Sequence, residues 1–138
     1  MIFSSAEIGY LNDQELGRLA TVQPDGTLQV SPVGFRYDPD TEFIEIRGMN
    51  LARSRKFRNV VDNGRVAFVV DDVPSLQPRR VRCLEIRGPG EAVVLDAARA
   101  NEFGGAVIRI KPERIISFGI DDPDQGPHEL TPHNRNVS

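Results

Sequence analysis

Short segments of alternating apolar and polar residues, joined by tight turns, restrict the fold of this chain more than any other feature. Residues 16–22 and 28–37 alternate in this way, and Asp25 and Gly26 between them are typical of a two-residue β-hairpin turn. A second turn leads to a third alternating segment, 42–48. Three strands with such short connections predict an antiparallel meander.

The period of the apolar residues changes after the third segment. Residues 51–63 follow the helical period of about 3.6 residues, and Asn63 with Gly64 should end this helix. Arg58 can form an ion pair with Asp62 one turn later. The predicted apolar face holds Phe57, Val60 and Val61, and the predicted polar face holds Arg55, Asn59 and Asp62.

Further strands follow the helix. Residues 65–70 form a nearly continuous apolar run, typical of a central buried strand, whereas 71–80 has the composition of a loop. Alternating segments between 81 and 120 supply the remaining strands. Because Pro32 cannot donate a backbone hydrogen bond, we expect the second strand to be bulged or to lie at an edge there. The pattern predicts a mainly β fold, a small antiparallel barrel of six to seven strands with one main crossover helix.

Residues 1–120 are predicted to form a single domain. Ser4 and Glu7 match a capping box, which predicts a short N-terminal helix that ends near Asn12. Residues 121–138 contain little apolar material and are expected to form a loop-like or partly ordered tail. The first residues lack the basic region of a signal peptide, and no segment approaches the ~20 apolar residues of a membrane helix. We therefore expect a cytoplasmic protein that binds no membrane.

A cluster of basic residues lies in a chain that is acidic as a whole. The chain has 17 Lys and Arg against 20 Asp and Glu, a net charge of −3, which argues against general affinity for nucleic acid. Like charges repel at close spacing, so clustered cations either spread into water or surround an anion. Residues 47–60 contain no carboxylate but hold Arg47, Arg53, Arg55, Lys56 and Arg58.

This basic cluster lies where the third strand meets the predicted helix. The start of a helix exposes unpaired N–H groups and the positive end of its dipole, so it stabilises a bound anion such as a phosphate. Two interpretations stay open, a phosphate site and a solvated cationic surface. Nucleic-acid binding is less well supported, because the one aromatic residue in the segment, Phe57, is assigned to the core by the helical pattern.

The remaining polar residues match no catalytic or metal-binding pattern. His128 and His133 are five residues apart, and a pair of histidines at this spacing is usually just solvated. The acidic segment 121–126 lacks the later ligands of a calcium loop. Cys83, the single cysteine, cannot form an internal disulfide and is expected to be packed rather than reactive. We predict no metal site, and the sequence identifies no catalytic residue.

Four segments, taken in order, resemble one known superfamily. They are LGRLATVQPDGTLQVSPVGFRYD, SRKFRNVVDNGRVAFVVDD, EIRGPGEAV and IRIKPERIISFGID. Together they are similar to the split-barrel flavin-binding superfamily of the pyridoxamine 5′-phosphate oxidases, and in particular to its short actinobacterial branch that uses the deazaflavin coenzyme F420. The resemblance implies an FMN-binding-type split β-barrel that assembles as a homodimer, with the cofactor cleft between the two subunits.

The resemblance also implies positions for the cofactor. In the family, a Ser-Arg-Lys sequence at the helix start holds the cofactor phosphate. The second strand flanks the tricyclic ring, and the end of the third strand lies beside the ring or the phosphate. The matching residues here are Ser54, Arg55 and Lys56 for the phosphate, Ser31, Pro32, Val33 and Gly34 for the ring, and Arg47, Gly48, Met49 and Asn50 at the end of the third strand.

One departure from the family pattern bears on the reaction. The true oxidases carry an Arg and a Lys in the second strand where this chain has Val30 and Phe35. This disfavours FMN-dependent oxidation of pyridoxamine phosphate and favours coenzyme F420, with FMN as the alternative cofactor. The implied function is a reductase that transfers a hydride from the reduced cofactor to a small organic substrate. The alternatives are a non-catalytic binding or carrier protein for a flavin, a deazaflavin or haem, and an FMN-dependent oxidase-like enzyme.

Overall fold

This computed structural model describes residues 1–137, and Ser138, the last residue of the predicted tail, lies outside the described residues. Residues 1–137 contain two α-helices and eight β-strands. In chain order the elements are α1 (Ser5–Asp13), β1 (Leu16–Val22), β2 (Leu28–Tyr37), β3 (Ile44–Ile46), α2 (Arg55–Asn63), β4 (Arg65–Leu76), β5 (Arg79–Val94), β6 (Ala106–Ile110), β7 (Arg114–Phe118) and β8 (Arg135–Asn136). Short 3₁₀ helices at Leu51–Arg53 and Ala97–Arg99 precede α2 and follow β5. None of the helices in residues 1–137 is long and apolar enough to cross a membrane.

Six of these strands close into an antiparallel barrel in the order β1-β2-β3-β6-β5-β4. The long strand β5 makes closure possible, because its first part pairs with β4 and its last part pairs with β6. Outside the barrel, β7 pairs with β5, and β8 pairs with β7. This confirms the predicted mainly β, split-barrel fold. The centre of the core is formed by Leu19, Ile44, Ile46, Phe68, Leu84, Ile86, Ile108 and Ile110, all fully buried.

The barrel wall is incomplete beside β2. Residues 28–34 of β2 pair with β1, but β3 pairs only with Phe35–Tyr37, so within residues 1–137 the first part of β2 has no strand on its other side. Pro32 lies in this part, opposite Arg18 of β1. The expectation that Pro32 marks an edge is therefore confirmed, since a missing N–H costs nothing where no strand accepts it.

The predicted helix 51–63 is divided into two pieces. Ser54 has an extended backbone (φ −72°, ψ 155°) between the 3₁₀ helix and α2. Its side chain accepts a hydrogen bond from the backbone N–H of Phe57 at 3.2 Å, which makes Ser54 the N-cap of α2. The predicted end is confirmed, because Gly64 has a left-handed backbone (φ 66°) that glycine adopts without strain.

The predicted faces of α2 were partly wrong. Phe57 and Val60 are buried as expected, but Val61 is 67% exposed and Asn59 is fully buried. The reason is polar contact with β1: Nδ2 of Asn59 donates to Oγ1 of Thr21 at 3.0 Å, and Nδ2 of Asn63 donates to the backbone oxygen of Val22 at 2.6 Å. These bonds turn the asparagine side of α2 toward the barrel and Val61 outward.

Two connections also differ from the predictions. Segment 71–80, predicted as a loop, is the outer part of the β4–β5 hairpin, which turns at 77–78. Pro74 is tolerated there because the pairing register shifts between Asp72 and Ser75. The β1–β2 turn has three residues rather than two. Gln23 donates its N–H to the oxygen of Thr27 at 2.8 Å, and of the turn residues only Gly26 has a positive φ.

Candidate cofactor and substrate site

The basic residues around the start of α2 have no acidic partners within the described residues. Arg53, Arg55 and Arg58 are exposed, Lys56 is half-buried, and none of the ion pairs in residues 1–137 includes any of them. The predicted Arg58–Asp62 pair is wrong, because the Asp62 carboxylate instead accepts a hydrogen bond from Nδ2 of Asn63 at 3.1 Å. The pKa of Asp25, in the β1–β2 turn, is lowered chiefly by hydrogen bonds from Thr27 and further by the charge of Arg55, so one carboxylate acts on this cluster from beyond ion-pair distance. The start of α2 therefore keeps a net positive charge.

The backbone at the start of α2 also has free hydrogen-bond donors. The hydroxyl of Ser54 is already used, since it donates to the oxygen of Leu51 at 2.6 Å and accepts from the N–H of Phe57. By helix geometry the N–H groups of Arg55 and Lys56 have no partner within the helix. An anion at this position would be bound by those two N–H groups and the neighbouring cationic side chains, with Ser54 fixing the cap rather than contacting the anion.

The residues predicted to flank the ring lie on two faces of β2. Pro32 and Gly34 face outward and are exposed, whereas Val33 is buried in the barrel and the buried hydroxyl of Ser31 has no hydrogen-bond partner in residues 1–137. The outward face continues onto β1 and β4, where small residues oppose one another in register. We call this mostly apolar outer surface the platform; it consists of Ala20, Val30, Pro32, Gly34 and Ala67, and Arg18 of β1 stands opposite Pro32.

The segment after β3 leads to the start of α2. Arg47 and Gly48 are half-buried, and Met49 and Asn50 are exposed. Asn50 adopts a left-handed backbone (φ 58°), which asparagine tolerates better than most residues, and its N–H donates to the oxygen of Asn101 at 2.8 Å. This hydrogen bond fixes the β5–β6 connection beside the site.

A group of charged residues beside the platform was missed by the sequence analysis. The carboxylate of Glu45, 4% exposed, lies 2.9 Å from Nη1 of Arg36 and 3.4 Å from both Nη2 of Arg47 and Nε of Arg109. Arg36, Glu45 and Arg109 stand opposite one another on β2, β3 and β6. We call Arg36, Arg47 and Arg109 the arginine row. These three arginines could have been grouped with Glu45 only from the pairing register of β2, β3 and β6, which a single sequence does not give.

A cavity of about 410 Å³ lies where the platform meets the arginine row. It is lined by Gln14, Glu15, Gly34, Phe35, Arg36, Arg47 and Phe103, so it includes two of the predicted site residues. A larger cleft of about 560 Å³ lies between the N-terminal residues, α1 and the tail, and contains none of the predicted site residues. The smaller cavity is therefore the one connected to the candidate site.

The thiol of Cys83 lies outside this site and is poorly suited to nucleophilic chemistry. Burial raises its pKa to about 11, and the carboxylates of Asp71 and Glu85 act in the same direction. The thiol is therefore protonated at neutral pH, in agreement with the expectation that Cys83 is packed rather than reactive. Within residues 1–137, no group of three or more His, Cys, Asp or Glu is placed to hold a metal ion.

The chain is similar to known proteins over most of its length. The 5a,11a-dehydrotetracycline/5a,11a-dehydrooxytetracycline reductase of Streptomyces rimosus subsp. rimosus is 45% identical over 130 residues, 93% of this chain and 92% of that protein. A solved F420 reductase is 26% identical with a TM-score of 0.63, over 83% of this chain and 98% of that one. An FAD-binding protein of Mycobacterium smegmatis has the same fold, with a TM-score of 0.61, 21% identity and coverage of 83% and 93%.

The family profile described as pyridoxamine 5′-phosphate oxidase matches residues 7–128, which run from α1 through the whole barrel into the tail. The match includes β2, the end of β3 and the start of α2, the elements that form the candidate site. The chain therefore belongs to the pyridoxamine 5′-phosphate oxidase family.

Proposed function

We propose that this protein is an oxidoreductase that uses reduced coenzyme F420 to reduce a small organic molecule. The observation that carries the proposal is the cationic start of α2, whose arginines and lysine form no ion pair in residues 1–137, together with the mostly apolar platform on β1, β2 and β4. A reductase at 45% identity and a structural neighbour that is an F420 reductase support it.

The residues present fit such a cofactor. Arg55 and Lys56 would hold its phosphate, Ser54 would keep the helix start in place, and Pro32 and Gly34 of the platform would lie against its ring. In the chain, Met49 and Asn50 lie between these two parts of the site, and both are exposed. When bound, reduced F420 supplies a hydride. The chain supplies binding, orientation and exclusion of water from one side of the ring.

The choice of F420 over FMN rests on β2. Val30, which is 67% exposed, and Phe35, which packs edge-on against Phe68, stand where the oxidases of this family carry basic residues. The cations of this site are instead concentrated at the start of α2 and in the arginine row. Such a distribution suits a cofactor whose negative charges extend away from the barrel.

Titration of the purified protein with F420 and with FMN, followed by fluorescence, tests the proposal. Wild type should bind F420 more tightly than FMN. Lys56→Ala should weaken F420 binding about tenfold to a hundredfold, equivalent to ~1.5–3 kcal/mol, because one charge-assisted hydrogen bond is lost. Lys111→Ala is the matched control, since the exposed Lys111 lies between β6 and β7, and it should bind like wild type. Equal binding by wild type and Lys56→Ala would contradict the phosphate site.

Turnover separates an enzyme from a carrier. We propose 5a,11a-dehydrotetracycline as a first trial substrate, because the 45% identical relative is named for its reduction. Oxidation of reduced F420, followed by absorbance, should accelerate when protein and substrate are both present. A protein that binds reduced F420 tightly yet accelerates its oxidation by no acceptor in a panel of conjugated ketones would be a carrier.

We also propose a homodimer with the cofactor cleft between the subunits. Leu28 and Val30 on the outer face of β2 are 78% and 67% exposed, and an apolar groove of about 270 Å³ crosses β1, β2 and β4 beside them. A second copy packed on the β1–β4 side of the platform would bury this surface and enclose the ring. A cytoplasmic location stays a prediction.

A further inference from the structure

The cavity beside the arginine row has walls of two kinds. Gly34, Phe35 and Phe103 form an apolar part, and the guanidinium groups of Arg36 and Arg47 form a cationic part. Phe103 is 64% exposed, so its ring is available for contact with a bound molecule. The volume of about 410 Å³ lies in the range of sites that hold small organic ligands.

Two cationic side chains line this cavity and share one buried carboxylate partner. Arg36 and Arg47 each use one terminal nitrogen for Glu45, so their remaining N–H groups are available to a further acceptor. The buried Nε of Arg47 has no hydrogen-bond partner in residues 1–137. Glu15 also lines the cavity, whereas Arg109 does not line it and stands opposite both Glu45 and Glu91. An anionic acceptor between Arg36 and Arg47 would complete their hydrogen bonds.

The position of Phe103 is set by the backbone around it. Asn101, two residues earlier, accepts the N–H of Asn50 at 2.8 Å, and the N–H of Gly105 donates to the oxygen of Glu102 at 3.0 Å. Gly105 is buried and lies so close to Arg99 that a Cβ would fall 1.7 Å from the Arg99 backbone oxygen. The ring of Phe103 is thus presented from an anchored turn rather than from a free loop.

We propose that this cavity binds a planar, conjugated organic monoanion. Its ring system would lie against Phe103, and its carboxylate or enolate group would lie against Arg36 and Arg47. The further assignment of this molecule as the substrate rests on the proposed function, because Gly34 belongs both to the cavity and to the platform that would hold the cofactor ring. A neutral molecule of the same shape would form only weaker, uncharged hydrogen bonds with the guanidinium groups of Arg36 and Arg47 and would bind more weakly.

Calorimetric titration of the cofactor-free wild type with 2-naphthoate and with its neutral counterpart 2-naphthamide tests the inference. Naphthoate should bind at least about tenfold more tightly than naphthamide. Arg36→Gln should reduce this preference to less than about threefold, Arg36→Lys should retain part of it, and Phe103→Ala should weaken both probes by a similar factor.

Two control variants match these substitutions. Arg87→Gln removes another half-exposed arginine that pairs with a glutamate, Glu85, at 2.6 Å, and Leu76→Ala removes another exposed apolar side chain, 76% exposed at the hairpin tip. Both should bind the probes like wild type. Equal affinity for the two probes, or an unchanged preference in Arg36→Gln, would overturn the inference.

Binding of F420, measured separately on the same samples, distinguishes failure of this inference from failure of the proposed function. If F420 binds and naphthoate shows no preference over naphthamide, the cavity assignment is wrong and the proposed function stands. If naphthoate binds with the expected preference and F420 does not bind, the anion site stands and its assignment as a substrate site is overturned.

Discussion

Each basic side chain at the start of α2 has an electrostatic cost in the free protein. A cation near a helix N-terminus is disfavoured by roughly 0.3–1 kcal/mol, because the helix dipole is positive there. Arg55 and Lys56 occupy the first turn of α2, and neither forms an ion pair in residues 1–137. A bound phosphate would reverse the sign of this interaction, so the same residues would destabilise the free protein and stabilise the complex.

Lys56→Ala should therefore be slightly more stable than wild type when no cofactor is bound. We expect a gain of about 0.3–1 kcal/mol in the free energy of unfolding, measured by urea denaturation at low ionic strength. Added salt should reduce the gain by screening the dipole interaction. Lys111→Ala again serves as control. A clear loss of stability in Lys56→Ala would mean that Lys56 supports the fold itself, and would count against its role as an uncompensated phosphate ligand.

Cys83 should react slowly with thiol reagents in the folded protein. With a pKa of about 11, its thiolate fraction at pH 8 is about a hundredfold lower than that of a thiol with the ordinary value of 9.0. Labelling by iodoacetamide should therefore be at least that much slower than in urea, where burial is lost, and should accelerate as the pH rises toward 11. Equal labelling rates in folded and unfolded protein would show that Cys83 is open to solvent and unperturbed.

Individual residues show where prediction from sequence succeeds and where it stops. The burial of Phe57 and Val60 and the end of α2 at Gly64 follow from spacing and residue type, and the structure confirms them. The burial of Asn59 could not be predicted, because it depends on Thr21, a residue distant in the sequence. The same holds for Glu45 and its arginines, which meet only when β2, β3 and β6 are placed in register.

At the scale of elements, the tail and α1 are joined by a buried ion pair. Glu7 is fully buried and receives hydrogen bonds from Nη2 and Nη1 of Arg135 at 2.5 Å and 3.2 Å. Nη2 of Arg135 also donates to the backbone oxygen of Ile2 at 2.8 Å. Burial raises the pKa of Glu7, but the hydrogen bonds from Arg135 and the Ser4 N–H outweigh it, and the net pKa is lowered. The end of the tail is thus fastened to the N-terminal residues.

Arg135→Gln should destabilise the protein by about 3–5 kcal/mol at pH 7, because it leaves a buried carboxylate without its partner. The contribution of Glu7 is complete above its unfolded pKa of about 4.5 and is lost as the pH falls through the lower folded pKa. The difference between variant and wild type in urea denaturation should therefore shrink below about pH 4.

Arg114→Gln is the control for this pair, since the side chain of Arg114, on neighbouring β7, forms a hydrogen bond with the uncharged side chain of Asn136 at 2.8 Å and no ion pair within residues 1–137. It should cost less than about 1 kcal/mol, with no comparable change with pH. A difference between Arg135→Gln and wild type that is independent of pH would show that Glu7 is not the group responsible.

The regular elements were predicted to different extents for one physical reason. Strands β1 and β2 were predicted with their observed bounds. Each has one face in the core and one in solvent, so apolar and polar residues alternate along its sequence. The outer half of the β4–β5 hairpin extends beyond the core, so its residues show no such alternation. Strand β8, only two residues long, is held by β7 and the Glu7–Arg135 pair rather than by any local pattern.

At the scale of the whole molecule, closure of the barrel leaves one apolar outer face without a covering layer. Leu28→Glu should shift the proposed dimer toward monomer, because a charged side chain would be buried in the contact. Val61→Glu is the control, since Val61 is equally apolar and 67% exposed but belongs to α2 rather than to the outer face of β2. Sedimentation at micromolar concentration measures the shift. A monomeric wild type that still binds F420 would contradict the homodimer and its shared cleft.

Alternate residues of strand β2 are under two different selective pressures, one for stability of the core and one for binding at the outer surface. Val33 and Tyr37 point into the core, 5% and 7% exposed, while Pro32, Gly34 and Arg36 point outward to the platform and the cavity. In a library of single substitutions, changes at the inward positions should reduce the amount of folded protein, and changes at the outward positions should alter which acceptor is used while the amount stays near wild type. A preference for a new substrate could then evolve at every second residue without the loss of stability that usually accompanies new activity.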